Sequence, residues 1–332
     1  MMAGTGLAYP DGRPTAKLRL EAKDQGVILR HGDGPDGCDE NCAREALIFK
    51  EGEVYHLFYD GASQDGWRAC MATSRDLVHW EKKGPVLDFG ASGEMDSAAA
   101  GSPWVIREGD WWHMFYIGTP NANPADGVPT FPYLTFKAKS RSLAGPWLKQ
   151  KEVVPFRTCP GTWYSVTASA GHIVKHNGEY LQFFSSTTDQ IKRTVGIART
   201  RDLDGAWTVD LEPIVPVEEQ IENTSLYFEP ACGLWFLFTN HIGLEAGGPE
   251  YTDAIWVYWT ADMNRWNPNN KAVVLDGRNC AWSKRCIGLP SVLPVGNRLA
   301  LFYDAAGGES ISHYHRDIGL AWLDLPLRPP RP

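Results

Sequence analysis

One aromatic strand recurs five times along the chain, and this repeat restricts the fold more than any other feature. Its copies are Tyr55-His56-Leu57-Phe58-Tyr59, Trp112-His113-Met114-Phe115-Tyr116, Tyr180-Leu181-Gln182-Phe183-Phe184, Trp235-Phe236-Leu237-Phe238-Thr239 and Leu299-Ala300-Leu301-Phe302-Tyr303. The shared phenylalanines stand at 58, 115, 183, 238 and 302. A spacing of about 60 residues is that of a repeat architecture. A second motif follows in register. It reads Ala72-Thr73-Ser74-Arg75-Asp76-Leu77 before Trp80, Ala138 to Leu143 before Trp147, Ala198 to Leu203 before Trp207, and Thr260 to Met263 before Trp266. The fifth copy, Ile318 to Trp322, is shorter.

Each unit reads as strand, tight turn, aromatic strand, small-residue strand and polar turn. Asp96 to Gly118 is the cleanest example, with Glu108-Gly109-Asp110 as its turn. β-Formers fill every second strand, and no three-turn apolar stripe of helical period appears. The 33 Gly and 23 Pro suit many short strands joined by turns. The expected fold is all-β, a five-bladed β-propeller of four-stranded antiparallel blades. It forms one domain over 1–332, with blades near 43–87, 97–156, 167–216, 222–275 and 286–327. Residues 1–16 read as a loose lead-in. A strand around Val27-Ile28-Leu29, within 17–30, is expected to complete the last blade and close the ring.

The net charge of −8 leaves no basic stripe to displace counterions, so no nucleic-acid partner is expected. No run of apolar residues is long enough for a membrane span. The start, MMAGTGLAYPDGRP, lacks an apolar signal core, so a cytoplasmic location is expected, or a periplasmic or secreted one if the N-terminus is a processed one. Seven scattered cysteines fit buried free thiols in a reducing compartment. Cys38-x-x-x-Cys42 is at most half of a metal site.

Gly52-x-x-Tyr55-His56-Leu57-Phe58-Tyr59, Asp76-Leu77-x-x-Trp80 and Gly196-Ile197-Ala198-x-Thr200-x-Asp202-Leu203 resemble the five-bladed glycoside hydrolases of families 43, 32, 68 and 117. The resemblance covers about 43–325 and lies mainly in scaffold strands, which speak for fold more than for activity. It implies a funnel at the propeller axis. There an acid on blade one acts as base or nucleophile, an Asp on blade two tunes, and a later Glu protonates the leaving oxygen. Glycoside cleavage needs one protonated and one ionised carboxyl group at the anomeric carbon. The chain departs from those families' sharpest motifs. Blade two has Gly101-Ser102-Pro103 where Arg-Asp-Pro is expected, and blade three has Ser169-Ala170-Gly171-His172 in place of Glu-Gly-Pro.

The starts of the inner strands are where the catalytic groups are expected. Glu45 leads into an apolar strand and is assigned base or nucleophile, with Asp39 in the preceding loop as fallback and Arg44 as neighbour. Asp96 is assigned the tuning role, and Glu222, in Glu222-Asn223-Thr224, the general acid. His172 and His241 are expected to bond substrate at the axis or to be satisfied buried histidines, ahead of the proton-donor role that the resemblance to family 117 implies for a histidine. Trp163, Asn223 and Asp253 are further candidate substrate contacts. Asp60 and Asp304, which follow aromatic strands, read as turn or inter-blade acids. No cofactor is required. Related propellers imply an axial structural calcium as an option, but no ligand spacing marks one here.

The expected activity is exo-acting hydrolysis of a terminal sugar from an oligosaccharide or polysaccharide. The resemblance points to an arabinofuranoside-like or galactose-derived residue. Two alternatives stay open. One is a phosphorylase with phosphate held by Arg44, Lys284 and Arg285. The other is a carbohydrate-binding propeller without catalysis, suggested by the missing blade-three acid.

Overall fold

The structure is a computed structural model that describes residues 13–244 and 250–331. Most of the expected lead-in, residues 1–12, lies outside the described residues. The strands fall into five antiparallel groups arranged as propeller blades, and short parallel pairings join blade one to blade two and blade two to blade three in one continuous sheet. Blade one holds Cys42–Glu51, Val54–Ser63, Gly66–Ser74 and Glu81–Pro85. Blade two holds Ala99–Glu108, Trp111–Thr119, Leu134–Ser140 and Leu148–Lys149. Blade three holds Thr167–His176, Glu179–Thr187, Arg193–Thr200 and Thr208–Val209. Blade four holds Ile221–Glu229, Leu234–Leu244, Glu250–Thr260 and Lys271–Leu275. Blade five holds Ile287–Val295, Arg298–Ala306 and Arg316–Asp324, and Lys23–Leu29 pairs antiparallel to the last of these. The N-terminal segment serves two blades, because Leu18–Arg19 also pairs parallel to the outer strand of blade four.

The two sequence repeats meet as one contact. The marker phenylalanine of one blade meets the tryptophan of the next edge-on: Phe58 with Trp147, Phe115 with Trp207, and Phe183 with Trp266. Phe302 of blade five meets Trp80 of blade one at 6.2 Å, across the ring closure. Edge-to-face rings at this distance add to area burial. The indole N–H of Trp80, Trp147 and Trp266 donates to the carbonyl of Leu77, Leu143 and Met263, which fixes each ring from its own blade.

A second device sits at the top of the inner strands. In every blade the pairing of first and second strands slips there, between Arg44 and Leu47, Gly101 and Trp104, Ser169 and His172, Glu222 and Ser225, and Gly288 and Ser291. Such a bulge re-aims a side chain and frees a backbone N–H. Glu45, Ser102, Asn223 and Leu289 take positive φ there, at 55°, 46°, 53° and 57°. Each donates its N–H to the side chain two residues beyond the marker phenylalanine of the preceding blade. The acceptors are Asp304 at 2.7 Å, Asp60 at 2.5 Å, Ser185 at 2.8 Å and Asn240 at 3.3 Å. Between blades two and three the acceptor position holds Ile117. That seam is joined instead by Leu134 pairing with Ala168, whose carbonyl accepts from Thr135 Oγ1 at 2.8 Å.

Candidate active site

The bulged ends of the inner strands open into a cavity of about 410 Å³, within the usual range for a small-molecule site. Glu45, Ser102, Asn223 and Glu222 reach it from the strands, and Asp60, Arg193, Arg316 and His313 flank them. One wall is the blade-two connection, with Asn123, Asp126, Phe131 and Tyr133. It touches blade five through the Tyr314 hydroxyl, which donates to the Asp126 carbonyl, while the Tyr314 ring lies 5.7 Å from Trp67. Trp67 also lines the cavity and carries the Arg44 guanidinium 5.0 Å from its ring centroid.

Two carboxyl groups stand in different surroundings. Glu45 contacts Arg44 at 3.3 Å and the Ser102 hydroxyl. Burial, and next the Asp60 charge, push the Glu45 carboxyl up to about 7, although Arg44 and Ser102 pull it down. Asp60 accepts from Ser102 N–H at 2.5 Å, lies within 2.9 Å of Ser102 Oγ, and is raised by burial to about 6. Glu222 is paired with Arg193 at 3.2 Å, and Arg193 also binds Glu250. Burial raises Glu222 too, while the Arg193 charge opposes the rise. His313 is pushed down to about 3 by burial and by Arg44, so it is neutral where it faces that guanidinium at 3.2 Å.

No family model matches the chain. Over 85 residues it is 46% identical to a 1,2-beta-oligomannan phosphorylase of Thermoanaerobacter sp. (strain X514), a stretch covering 23% of this chain and 29% of that protein. The whole fold is similar to a solved glycoside hydrolase, with TM-score 0.69 and 14% identity over 94% of this chain and 96% of that one. It is similar to a thermostable family-43 glycoside hydrolase, with TM-score 0.62 and 14% identity over 92% and 99% of the two chains. It is also similar to Zg3597, a family 117 glycoside hydrolase produced by the marine bacterium Zobellia galactanivorans, with TM-score 0.66 and 13% identity over 93% of each chain. The fold is that of the five-bladed propeller glycoside hydrolases.

Within that fold, Glu45, Glu222, Arg44 and Asn223 come together at the cavity. The other six candidates lie outside its lining. Asp96 is buried beside blade two, where it accepts from the Tyr116 hydroxyl at 2.8 Å and pairs with Lys149 at 2.6 Å. Asp39 ties its own loop together through the N–H groups of Gly32 and Gly34 and pairs with Lys82 at 2.5 Å. Trp163 packs 4.9 Å from Phe184 and donates to the Asp210 carbonyl. His172 accepts from Leu226 N–H at 3.3 Å beside Trp104, and burial lowers it to about 4. His241 is stacked 3.5 Å from Trp256. Asp253 is paired with Arg13 at 2.6 Å. Each of the six is engaged by partners distant in the chain or on other strands, which the local sequence does not display.

Asp60, Ser102, Arg193, Glu250, His313 and Arg316 were not among the candidates, yet all line the cavity. A signal for Asp60 was present. The second residue after each marker phenylalanine is polar in four of five blades, Asp60, Ser185, Asn240 and Asp304, inside otherwise apolar strands. Of the cations considered for phosphate, Lys284 donates to the carbonyls of Gly277 and Cys280, and Arg285 lies over Tyr251 at 5.3 Å. Among the described residues no group of three or more His, Cys, Asp or Glu side chains could hold a metal ion, and all seven cysteines are free thiols. No helix among the described residues is long and apolar enough to cross a membrane.

Proposed function

We propose that this chain is a glycoside hydrolase that removes a terminal sugar, with Glu45 as general acid and Glu222 as general base or nucleophile. The single observation that carries the reading is the neighbouring charge each carboxyl meets in one cavity: beside Glu45 the strongest is the Asp60 carboxylate, which adds to burial in raising it to about 7, whereas beside Glu222 it is the Arg193 guanidinium at 3.2 Å, which opposes burial. Two carboxyls whose surroundings separate their proton affinities identify an acid and its partner. This exchanges the roles that the sequence reading gave the pair. The Glu45 proton goes to the leaving glycosidic oxygen as the C–O bond breaks, and the bonding pair stays on that oxygen. Ionised Glu222 takes a proton from the attacking water or attacks the anomeric carbon itself.

The blade-two connection that lines the cavity is tied to blade five by the Tyr314 hydroxyl, beside Trp67 of blade one. It supports a closed pocket that takes a chain end. Phe131 and Tyr133, both half-buried, line the cavity and supply aromatic surface for a sugar ring. Both proton transfers are assigned to the chain's own side chains, so the reading requires no cofactor.

The match to an oligomannan phosphorylase favours a second reading, phosphorolysis. Arg44, Arg193 and Arg316 line the cavity, but each is already paired with a carboxylate. That pairing weighs towards water as the acceptor. The test is incubation with a glycan library, with and without inorganic phosphate, and anomer-resolved product detection. Phosphate-independent release of a reducing monosaccharide, lost in Glu45→Gln and Glu222→Gln, is expected. A sugar phosphate as product moves the assignment to a phosphorylase. Tight binding of unchanged glycan removes catalysis altogether.

A further inference from the structure

We propose that Asp60 and Ser102 are positioning residues that hold one proton on the Glu45 side of the cavity, with the Ser102 hydroxyl shared between the Glu45 and Asp60 carboxyls. Ser102 Oγ lies within hydrogen-bond distance of both Glu45 Oε2 and Asp60 Oδ2. A hydroxyl carries one hydrogen and can satisfy one of these two oxygens as donor. If both carboxyls were ionised, the second contact would set oxygen lone pairs against each other in a buried site, which is costly. One added proton removes the conflict. The protonated carboxyl donates to Ser102 Oγ, and Ser102 donates to the other.

The charges around the group lead to the same count. Glu45, Asp60 and Asp304 share this seam with the guanidiniums of Arg44 and Arg316. Three carboxyls against two guanidiniums become neutral with one proton. His313 faces Arg44 as a neutral ring and adds no charge. Across the cavity, Glu222 and Glu250 already engage Arg193.

The backbone is shaped for this arrangement. Ser102 takes φ 46° at its bulge, and its N–H reaches Asp60 Oδ1 while its hydroxyl reaches Oδ2. Both donors of one residue therefore fix one carboxylate. The preceding Gly101 leaves the room, since a Cβ there would lie 2.6 Å from Asp60 Oδ1. Such strain persists where the surroundings over-determine it, often at functional sites.

The catalytic consequence rests on the hydrolase reading. For the transfer, the Glu45 proton swings from Ser102 Oγ to the leaving oxygen, and the Ser102 hydroxyl turns from Asp60 to the new Glu45 carboxylate. Two carboxylates then share one hydroxyl hydrogen, the crowded state counted above, which drives the group to take a proton back. Asp60 remains ionised, and the pair regains a proton through solvent before the next turnover.

The test separates the proton from the turnover. Side-chain carboxyl carbons are followed by NMR through a pH titration of the wild type, Glu45→Gln, Asp60→Asn and Ser102→Gly. Glycine is chosen because it accepts positive φ. The expected result is a carboxyl titrating near neutrality that disappears in Glu45→Gln and moves down by about one pH unit or more in Asp60→Asn. In Ser102→Gly the basic limb of kcat/KM is displaced and kcat falls about 10- to 100-fold. The relay is overturned if Glu45 and Asp60 both titrate below about pH 5 in the wild type. It is equally overturned if Asp60→Asn leaves the Glu45 titration unmoved. A shared titration without any glycoside cleavage would remove the hydrolase reading and leave the relay standing. Cleavage with two ordinary carboxyls would do the reverse.

Discussion

The backbone N–H of Glu45 donates to Asp304 Oδ2 at 2.7 Å, and the other oxygen of that carboxylate takes the Arg316 guanidinium at 2.9 Å. One residue of the last blade thereby holds both the conformation of a proposed catalytic residue on the first blade and a fully buried arginine. Asp304→Ala leaves Arg316 its bond to the Ser312 carbonyl but no paired carboxylate, and removing one member of a buried pair costs about 3–5 kcal/mol. Urea unfolding should show a loss of that size. Asp304→Asn keeps an acceptor for Glu45 N–H and should lose less. A loss in Asp304→Ala within experimental error of zero would mean that the seam is held elsewhere.

Glu45 should weaken the fold near neutral pH. Its carboxyl is raised from 4.5 to about 7, chiefly by burial. In that interval the folded chain binds a proton that the unfolded chain does not, so stability falls as pH rises. The cost is absent below the lower value and fully present above the upper one. Glu45→Gln removes it. The variant should match the wild type near pH 4 and exceed it by roughly 1–3 kcal/mol near pH 8. Urea midpoints at the two pH values check this, and equal midpoints at both would contradict the raised carboxyl.

Arg193 is expected to keep Glu222 ionised. Its charge is the main influence opposing the upward push of burial on that carboxyl. In Arg193→Gln, Glu222 should take up a proton more readily. The acidic limb of kcat/KM should then move to higher pH, with a loss of about 10- to 100-fold at neutrality. A pH–rate profile at unchanged circular dichroism provides the measurement. An unmoved acidic limb would argue against Glu222 as the ionised partner.

Acid should destabilise the fold through its buried histidines. His172 and His113 are lowered to about 4, in both cases chiefly by burial. Between that value and the usual 6.5, the unfolded chain holds a proton that the folded chain refuses, so stability falls as pH falls. Each histidine contributes up to about 1.4 kcal/mol per pH unit within that window. His172→Gln, which can still accept from Leu226 N–H, should flatten the acid limb in chemical unfolding. An unchanged slope would show that His172 protonates without cost.

Much of the scaffold is legible in the sequence because blade seams are made from residues close to the repeat itself. Phe58 and Trp147 lie in different units, yet both motifs recur in register, so their meeting is implied by the period. The site is less legible. Glu45 and Ser102 occupy the bulge itself, while Glu222 stands one residue before it, with Asn223 in the bulge. No local pattern shows that offset. Asp96 has the small neighbours of a ligand site, yet Lys149 and Tyr116 reach it within its own blade. Asp60 looks like a turn acid until Gly101 and Ser102 of the next blade are brought against it.

The sequence by itself determined the blade count and the aromatic seams, because a repeated strand can bury its apolar face only against its own kind. Tertiary structure alone decided which carboxyls share the cavity and what charge they face. Glu45 gains Asp304 from blade five and Ser102 from blade two, while Glu222 gains Arg193 from blade three. Proton affinity depends on burial and on charges a few ångströms away, and in a ring of blades those neighbours are supplied by residues far apart in the chain.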